Sequence, residues 1–84
     1  MVTLLYFASL REIVGCSREQ VALPSGNATV SSLVDVLRSR GARWTSAFAP
    51  GKTWRVAVNQ HMADLATPVK PGDEIAFFPP VTGG

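Results

Sequence analysis

The clearest pattern in this chain is that of one amphipathic α-helix, predicted over Thr29–Arg40. Its apolar residues recur at i, i+3, i+4 and i+7, which places them on a single stripe. Thr29 is a suitable N-cap, since its hydroxyl can accept a backbone amide of the first turn, and Gly41 is expected to end the helix in the left-handed conformation. A helix with one apolar stripe must bury that stripe against a second layer, so the flanking segments have to supply a sheet. The stripe consists of Val30, Leu33, Val34 and Leu37.

Segments with strand patterns lie on both sides of this helix. Two short helical segments, Ser9–Gly15 and Arg43–Phe48, separate some of them. The resulting order of β, β, α, β, short β and β predicts an α+β fold. We expect a β-grasp (ubiquitin-like) domain over residues 1–84, in which a mixed sheet of about five strands packs on one main helix. The strands are predicted at Val2–Ala8, Glu19–Leu23, Trp54–Val58, His61–Ala63 and Glu74–Phe78.

The chain is poor in side chains that perform chemistry. Cys16 is its one cysteine and His61 its one histidine, which excludes an intrachain disulfide, a structural Cys/His zinc site and an iron–sulfur cluster held by cysteines. His61 follows a tight turn predicted at Asn59-Gln60, and a histidine beside a turn is usually a solvated surface residue. Asp73 and Glu74 are adjacent in a strand, so their side chains are expected to point to opposite faces. We therefore predict neither a metal site nor a catalytic constellation of side chains.

Charge and hydropathy exclude further classes of protein. Eight Lys and Arg against six Asp and Glu give a net charge of +2, which is too small to indicate a nucleic-acid partner. No apolar run approaches the roughly 20 residues that a membrane span requires, and the apolar start lacks the features of a signal peptide. Small secreted domains usually carry several disulfides. The single cysteine therefore favours a cytoplasmic protein.

Two neighbouring phenylalanines, Phe77 and Phe78, interrupt the alternation of the last predicted strand. Successive residues of a strand point to opposite faces of the sheet, so one ring enters the core and the other lies on the opposite face. In a domain this small, we expect the second ring to contribute to an exposed apolar patch suited to a partner. Leu5 or Phe7, together with Val81, would complete that patch.

The chain ends in Thr82-Gly83-Gly84, directly after the pair Pro79-Pro80 and Val81. Glycine loses the most conformational entropy on ordering, so a terminal glycine pair is a poor stabiliser of a fold. It does supply a thin arm that ends in a carboxylate and can enter a narrow tunnel in another protein. We therefore predict that residues 80–84 form a flexible tail. A frayed terminus is the alternative interpretation.

Taken together, these residues resemble the small subunits of molybdopterin synthase, which are ubiquitin-like sulfur carriers of the MoaD type. The resemblance covers almost the whole chain, and its most specific stretch is the closing run from Phe77 to Gly84. The related carrier of thiamine synthesis shares the fold and the terminal glycines but generally lacks the Phe-Phe-Pro-Pro-Val-Thr approach. The other matching residues are Phe7-Ala8, Arg11-Glu12, Gly15, Val58-Asn59-Gln60 and Asp73-Glu74-Ile75-Ala76.

The resemblance implies that the reactive group is the terminal carboxylate. An E1-like enzyme would use ATP to adenylate Gly84, and a sulfur donor protein would convert the adenylate to a thiocarboxylate. The large subunit of a heterotetrameric synthase would then use this sulfur to convert precursor Z to molybdopterin. The chain would bind no cofactor and would not catalyse alone. Gly83 and Thr82 would give the tail access to the tunnel, and the partner-binding residues would be Phe7, Arg11, Phe78, Pro80 and Val81.

The residues leave other functions open. The chain could carry sulfur for another pathway, such as thiamine synthesis or tRNA thiolation. It could also be a protein modifier whose Gly84 forms an isopeptide bond, although Lys52 and Lys70 are its only acceptors for chains of itself. A third alternative is a non-catalytic β-grasp interaction module with an inert tail. The resemblance gives Cys16 and His61 no role.

Overall fold

A single mixed sheet carries the fold in the computed structural model, which describes residues 1–23, 27–49, 51 and 53–80. Its strand order is β2-β1-β5-β3-β4, with β1 and β5 parallel and the remaining neighbours antiparallel. This confirms the predicted α+β fold with five strands in a mixed sheet. The elements are β1 Val2–Tyr6, α1 Ala8–Val14, β2 Arg18–Val21, α2 Val30–Arg38, α3 Ala42–Ala47, β3 Arg55–Val58, β4 His61–Ala63 and β5 Glu74–Phe78.

The sheet has an inner face that packs against the helices and an outer face on the other side. Buried and half-buried residues alternate along β1 and β5, as the two-residue period of a strand requires. The apolar stripe of α2 is buried against the inner face, as its spacing predicted. One hydrophobic cluster therefore joins helices and sheet; its sheet residues include Val2, Leu4, Tyr6, Val56, Ile75 and Phe77.

Helix α2 begins where the sequence indicated but ends earlier. The Thr29 hydroxyl accepts the backbone N–H of Ser32 at 3.2 Å, and the Ser32 hydroxyl accepts that of Thr29 at 2.8 Å, which is a reciprocal capping box. The Ser39 hydroxyl donates to the carbonyl of Val36 at 2.6 Å, and such local bonds compete with helix continuation. The prediction that Gly41 ends this helix in the left-handed conformation was wrong, since Gly41 has φ 140° and is the N-cap of α3.

The junction between β1 and α1 also differs from the predicted strand over Val2–Ala8. Ala8 has a φ of 53°, a left-handed conformation that turns the chain sharply from strand into helix. Phe7 remains extended, with φ −120° and ψ 151°, and its N–H donates to the carbonyl of Phe77 at 3.1 Å. Phe7 therefore stays beside the end of β5 although the helix begins one residue later.

Two polar clusters position the strands at the two edges of the sheet. Asn59 forms a two-residue turn with Gln60, both at positive φ, and its side-chain amide donates to Asp73 at 2.9 Å. At the opposite edge, the Glu19 carboxylate accepts from the Tyr6 hydroxyl and from Arg40, each at 2.8 Å. The first cluster holds the β3–β4 hairpin to the start of β5, and the second holds β2 to the end of α2.

Candidate functional site

The two neighbouring phenylalanines of β5 separate to the two faces of the sheet. Phe77 has no exposed surface, and its ring contacts those of Tyr6, Phe48 and Trp54 with centroid separations of 5.9, 5.1 and 5.6 Å. Phe78 lies on the outer face and is half-buried. The predicted division between one core ring and one ring on the opposite face is confirmed.

Phe78 belongs to an apolar strip on the outer face. The strand register sets Leu5, Ala76 and Ala57 side by side across β1, β5 and β3, and Phe78 lies two residues beyond Ala76 on the same side. Phe7, whose surface is 46% exposed, follows the last parallel pair, Tyr6 with Phe77, and its N–H donates to the carbonyl of Phe77 at 3.1 Å, so Phe7 lies beside the end of β5. The structure thus places Leu5 and Phe78 on the outer face with Phe7 close by, but only Phe7 is exposed and the other two are half-buried. That these residues bind a partner stays a prediction.

Met62 also belongs to the apolar strip, although it was not among the residues predicted for the patch. Met62 is 63% exposed and lies opposite Ala57 in the β3–β4 pairing, so it extends the strip to the edge of the sheet. Alternation within the two strands could have assigned Met62 and Ala57 to the outer face. β3 pairs with both β4 and β5, and this pairing puts Met62 and Ala57 in one row with Ala76. The sequence does not show which strands pair.

The remaining predicted binding residues lie outside the apolar strip or outside the described part of the chain. Arg11 is exposed in the last turn of α1, and within the described residues it makes no ion pair. Pro80 is half-buried just after β5. The other predicted tail and patch residues, Val81, Thr82, Gly83 and Gly84, lie outside the described residues.

The point where the chain leaves the sheet is nevertheless defined. Phe78 is the last paired residue of β5, and its partner across the antiparallel pair is Arg55. Pro79 and Pro80 follow directly, and proline cannot donate a hydrogen bond to a further ladder. The C-terminal segment therefore starts at the same end of the outer face as Phe7 and Phe78.

The one cysteine is not set up as a nucleophile. Cys16 is half-buried, and its Sγ lies 4.0 Å from an oxygen of Glu19. Burial, followed by the negative charge of Glu19, raises the pKa of the Cys16 thiol, so the reactive thiolate is disfavoured at neutral pH. His61 is exposed at the start of β4, away from that pair.

Other kinds of site find little support in the described part of the chain. No group of three or more His, Cys, Asp or Glu residues there could hold a metal ion, and no helix there has the length and hydropathy to cross a membrane. A groove of about 580 Å³ opens between α2 and the β3–β4 hairpin. Its charged lining mixes both signs, with Asp35 and Asp64 beside Arg38 and Arg55, so the groove does not define one ligand chemistry.

Comparisons with known proteins agree with this geometry. The sequence model of the ThiS family matches residues 4–84. The molybdopterin synthase sulfur carrier subunit of Haemophilus influenzae is 43% identical over 84 residues, which cover 100% of both chains. SAMP1 from Haloferax volcanii has a TM-score of 0.76 at 29% identity, with 99% of this chain and 98% of that one covered. A structure of subunits 1 and 2 of the molybdopterin-converting factor of Helicobacter pylori matches with a TM-score of 0.66, at 26% identity and 99% and 97% coverage.

Proposed function

The chain belongs to the ThiS family, and we propose that it is the sulfur carrier subunit of a molybdopterin synthase. The observation that carries this proposal is the full-length identity of 43% to a carrier subunit of that name. The ubiquitin-like β-grasp fold, with its Phe-Phe-Pro-Pro-Val-Thr-Gly-Gly ending, is the form that such a carrier requires. The cytoplasm is the expected location, because ATP-dependent charging takes place there.

The carrier group in this proposal is the carboxylate of Gly84. A carboxylate is a poor electrophile, so an E1-like enzyme first joins one of its oxygens to the α-phosphorus of ATP and releases pyrophosphate. The persulfide of a sulfur donor protein then attacks the acyl carbon and expels AMP. A thiol reductant cleaves the resulting acyl disulfide and leaves a thiocarboxylate on Gly84. The chemistry needs no side chain of this chain, which agrees with the raised pKa of the Cys16 thiol.

The outer face is the proposed contact with the large subunit. Its apolar strip lies at the end of the sheet where β5 gives way to Pro79 and Pro80, so a partner seated there receives the tail that follows. The complex of two molybdopterin-converting factor subunits from Helicobacter pylori, whose matching chain shares this fold, supports such a pairing. Phe78 and Phe7 would supply the central contacts, and Gly83 and Thr82 would enter the large subunit.

Intact-mass spectrometry tests the proposed charging reaction. The purified chain is incubated with an E1-like enzyme, ATP, a sulfur donor and a thiol reductant. We expect the mass gain of one oxygen-to-sulfur exchange, and we expect the charged chain to convert precursor Z when the large subunit is added. A chain lacking Gly84 is the control. The proposal is refuted if a known carrier is charged in parallel while this chain never gains the sulfur.

A second candidate function is that of a protein modifier. It is favoured by the structural likeness to SAMP1, the small archaeal modifier protein 1 of Haloferax volcanii. In that case Gly84 would form an isopeptide bond with a lysine of another protein. Tagged chain expressed in its own cell type distinguishes the two functions, because a modifier yields higher-mass conjugates that disappear when Gly84 is deleted, whereas a dedicated sulfur carrier yields none.

A further inference from the structure

Two arginines lie on either side of Leu5, Ala76 and Phe78, the part of the apolar strip that β1 and β5 carry. Arg18 lies on β2 directly opposite Leu5, and Arg55 lies on β3 directly opposite Phe78. Both side chains belong to exposed residues. Because β2 and β3 are separated by β1 and β5, three strand spacings, or about 14 Å, lie between the two arginines across the sheet.

Neither arginine has a counter-ion within the described residues, where the one ion pair joins Arg40 to Glu19. Arg55 also lines the groove beside Asp35 and Asp64, but neither carboxylate forms an ion pair with it. Glu19 follows Arg18 in the chain, but it pairs with Leu4 and so belongs to the inner face. Glu74 is on the outer face but lies opposite Thr3, at the end of β5 remote from Phe78. An arginine stays charged at any physiological pH, so the two positive charges remain available to a partner.

We propose that Arg18 and Arg55 select the partner of the outer face, and that this partner is a large synthase subunit with acidic side chains on both sides of an apolar centre. The inference rests on the proposed function and adds the chemistry of the partner. Protein interfaces commonly join an apolar core to a polar rim, and arginine is enriched in them. The residues between the two arginines are apolar. Such a surface is suited to contact with another protein, whereas it offers nothing to the charged phosphates of a nucleic acid.

Charges at the rim of an interface act mainly on the rate of association and on its dependence on salt. Two positive charges on either side of the strip would orient an acidic partner before contact. The structure therefore assigns to Arg18 and Arg55 a role in the encounter, while the apolar strip between them determines how slowly the complex dissociates.

Stopped-flow association with the large synthase subunit from the same organism tests this role. The double variant Arg18→Glu/Arg55→Glu is compared with Arg38→Glu/Arg43→Glu, which makes the same change in net charge on helices α2 and α3 of the inner side. At low ionic strength we expect the first variant to associate about tenfold or more slowly than the second. Its rate should also lose the decline with added salt, and Arg18→Lys/Arg55→Lys should restore both features.

The outcomes separate this inference from the proposed function. Equal association rates and equal salt dependence in the two double variants overturn the role of the arginines. If Phe78→Ala abolishes binding to the large subunit but neither charge-reversal variant changes the association rate, the proposed function stands and only the inference fails. If the wild-type chain does not bind the large subunit at all, the proposed function itself fails. Thermal unfolding of each variant confirms that the comparison is made between folded proteins.

Discussion

Asp73 shows how a single carboxylate links the local geometry to the stability of the fold. It is 6% exposed and accepts the side-chain amide of Asn59 at 2.9 Å and the backbone N–H of Lys70 at 3.0 Å. Burial acts to raise the pKa of Asp73, but these two hydrogen bonds and the charge of Lys70 outweigh it, so the pKa lies below its ordinary value of 3.8. Folding therefore favours the ionised form.

The depressed pKa of Asp73 predicts the direction of a pH dependence. Its stabilising contribution is fully present above the unfolded value near 3.8 and is lost as the pH falls through the lower pKa of the folded state. We expect Asp73→Asn to lower the free energy of unfolding at neutral pH by about 1 to 3 kcal/mol, because the Asn59 amide and the Lys70 N–H lose a charged acceptor. The difference in the free energy of unfolding between wild type and Asp73→Asn should become smaller at acidic pH.

Urea unfolding at neutral pH and at about one pH unit below the ordinary Asp pKa provides the measurement. Asp35→Asn is the matched control, since Asp35 is exposed on α2. If the free energies of unfolding of wild type and Asp73→Asn differ by the same amount at both pH values, Asp73 is not the source of the pH dependence.

Ala8 offers a second prediction for a single residue. Its φ of 53° is a left-handed conformation that costs a residue with a Cβ roughly 1 to 2 kcal/mol, whereas glycine adopts it freely. Glycine also loses more conformational entropy on folding, which offsets part of the gain. We expect Ala8→Gly to leave the melting temperature unchanged or to raise it.

Thermal unfolding of Ala8→Gly is compared with that of a second alanine variant. Ala22→Gly serves as the control, because Ala22 is an exposed residue just after β2 and is not among the residues with a positive φ. The control carries the entropic cost of glycine without any relief of strain, so its melting temperature should fall slightly. A clear fall confined to Ala8→Gly would contradict the strain at Ala8.

At the scale of elements, β5 separates the stability of the fold from its proposed docking. Phe77 contacts three aromatic rings in the core, whereas Phe78 contributes to the outer face. We expect Phe77→Ala to lower the free energy of unfolding by about 3 to 5 kcal/mol and Phe78→Ala to lower it much less. Binding to the large subunit, measured by calorimetry, should instead be weakened strongly by Phe78→Ala. Equal losses of stability in the two variants, or unchanged binding in Phe78→Ala, would contradict this division.

The elements also show what the sequence could and could not predict. The stripe of α2, the Asn59-Gln60 turn and the bounds of β5 follow from local patterns, because hydrophobic spacing and turn chemistry are properties of neighbouring residues. The end of α2 was misplaced because the backbone tightens after Arg38, where the Arg40 N–H donates to the carbonyl of Leu37, three residues back, at 3.1 Å. The row that joins Met62, Ala57, Ala76 and Leu5 depends on strand order, which arises from long-range pairing and leaves no periodic signal.

At the scale of the whole molecule, the core and the proposed chemistry occupy different parts of the chain. Among the residues that the structure describes, every member of the buried hydrophobic cluster lies between Val2 and Phe77, and the last strand ends at Phe78. The candidate carrier residue, Gly84, lies beyond that strand at the end of the chain. The domain can therefore keep its packing while partners act on the terminus, and the outer face connects these two roles because it lies where β5 ends.

This separation predicts that a chain truncated after Pro80 behaves as a competitor. The truncated chain retains the core cluster and the outer face, so we expect a melting temperature close to that of the full chain. It has no terminal glycine to carry sulfur, but it should still bind the large subunit through Phe7 and Phe78. Added in excess, it should slow the conversion of precursor Z by the charged full-length chain, and more charged chain should relieve the inhibition.

The matched control is the same truncation carrying Phe78→Ala, which keeps the fold but loses the central contact of the outer face. We expect it to inhibit much less, because inhibition depends on docking and not on the tail. If both truncated chains inhibit equally, the outer face is not the docking surface. If neither inhibits although both are folded, the affinity resides in residues 81–84, and the outer face serves only to position the tail.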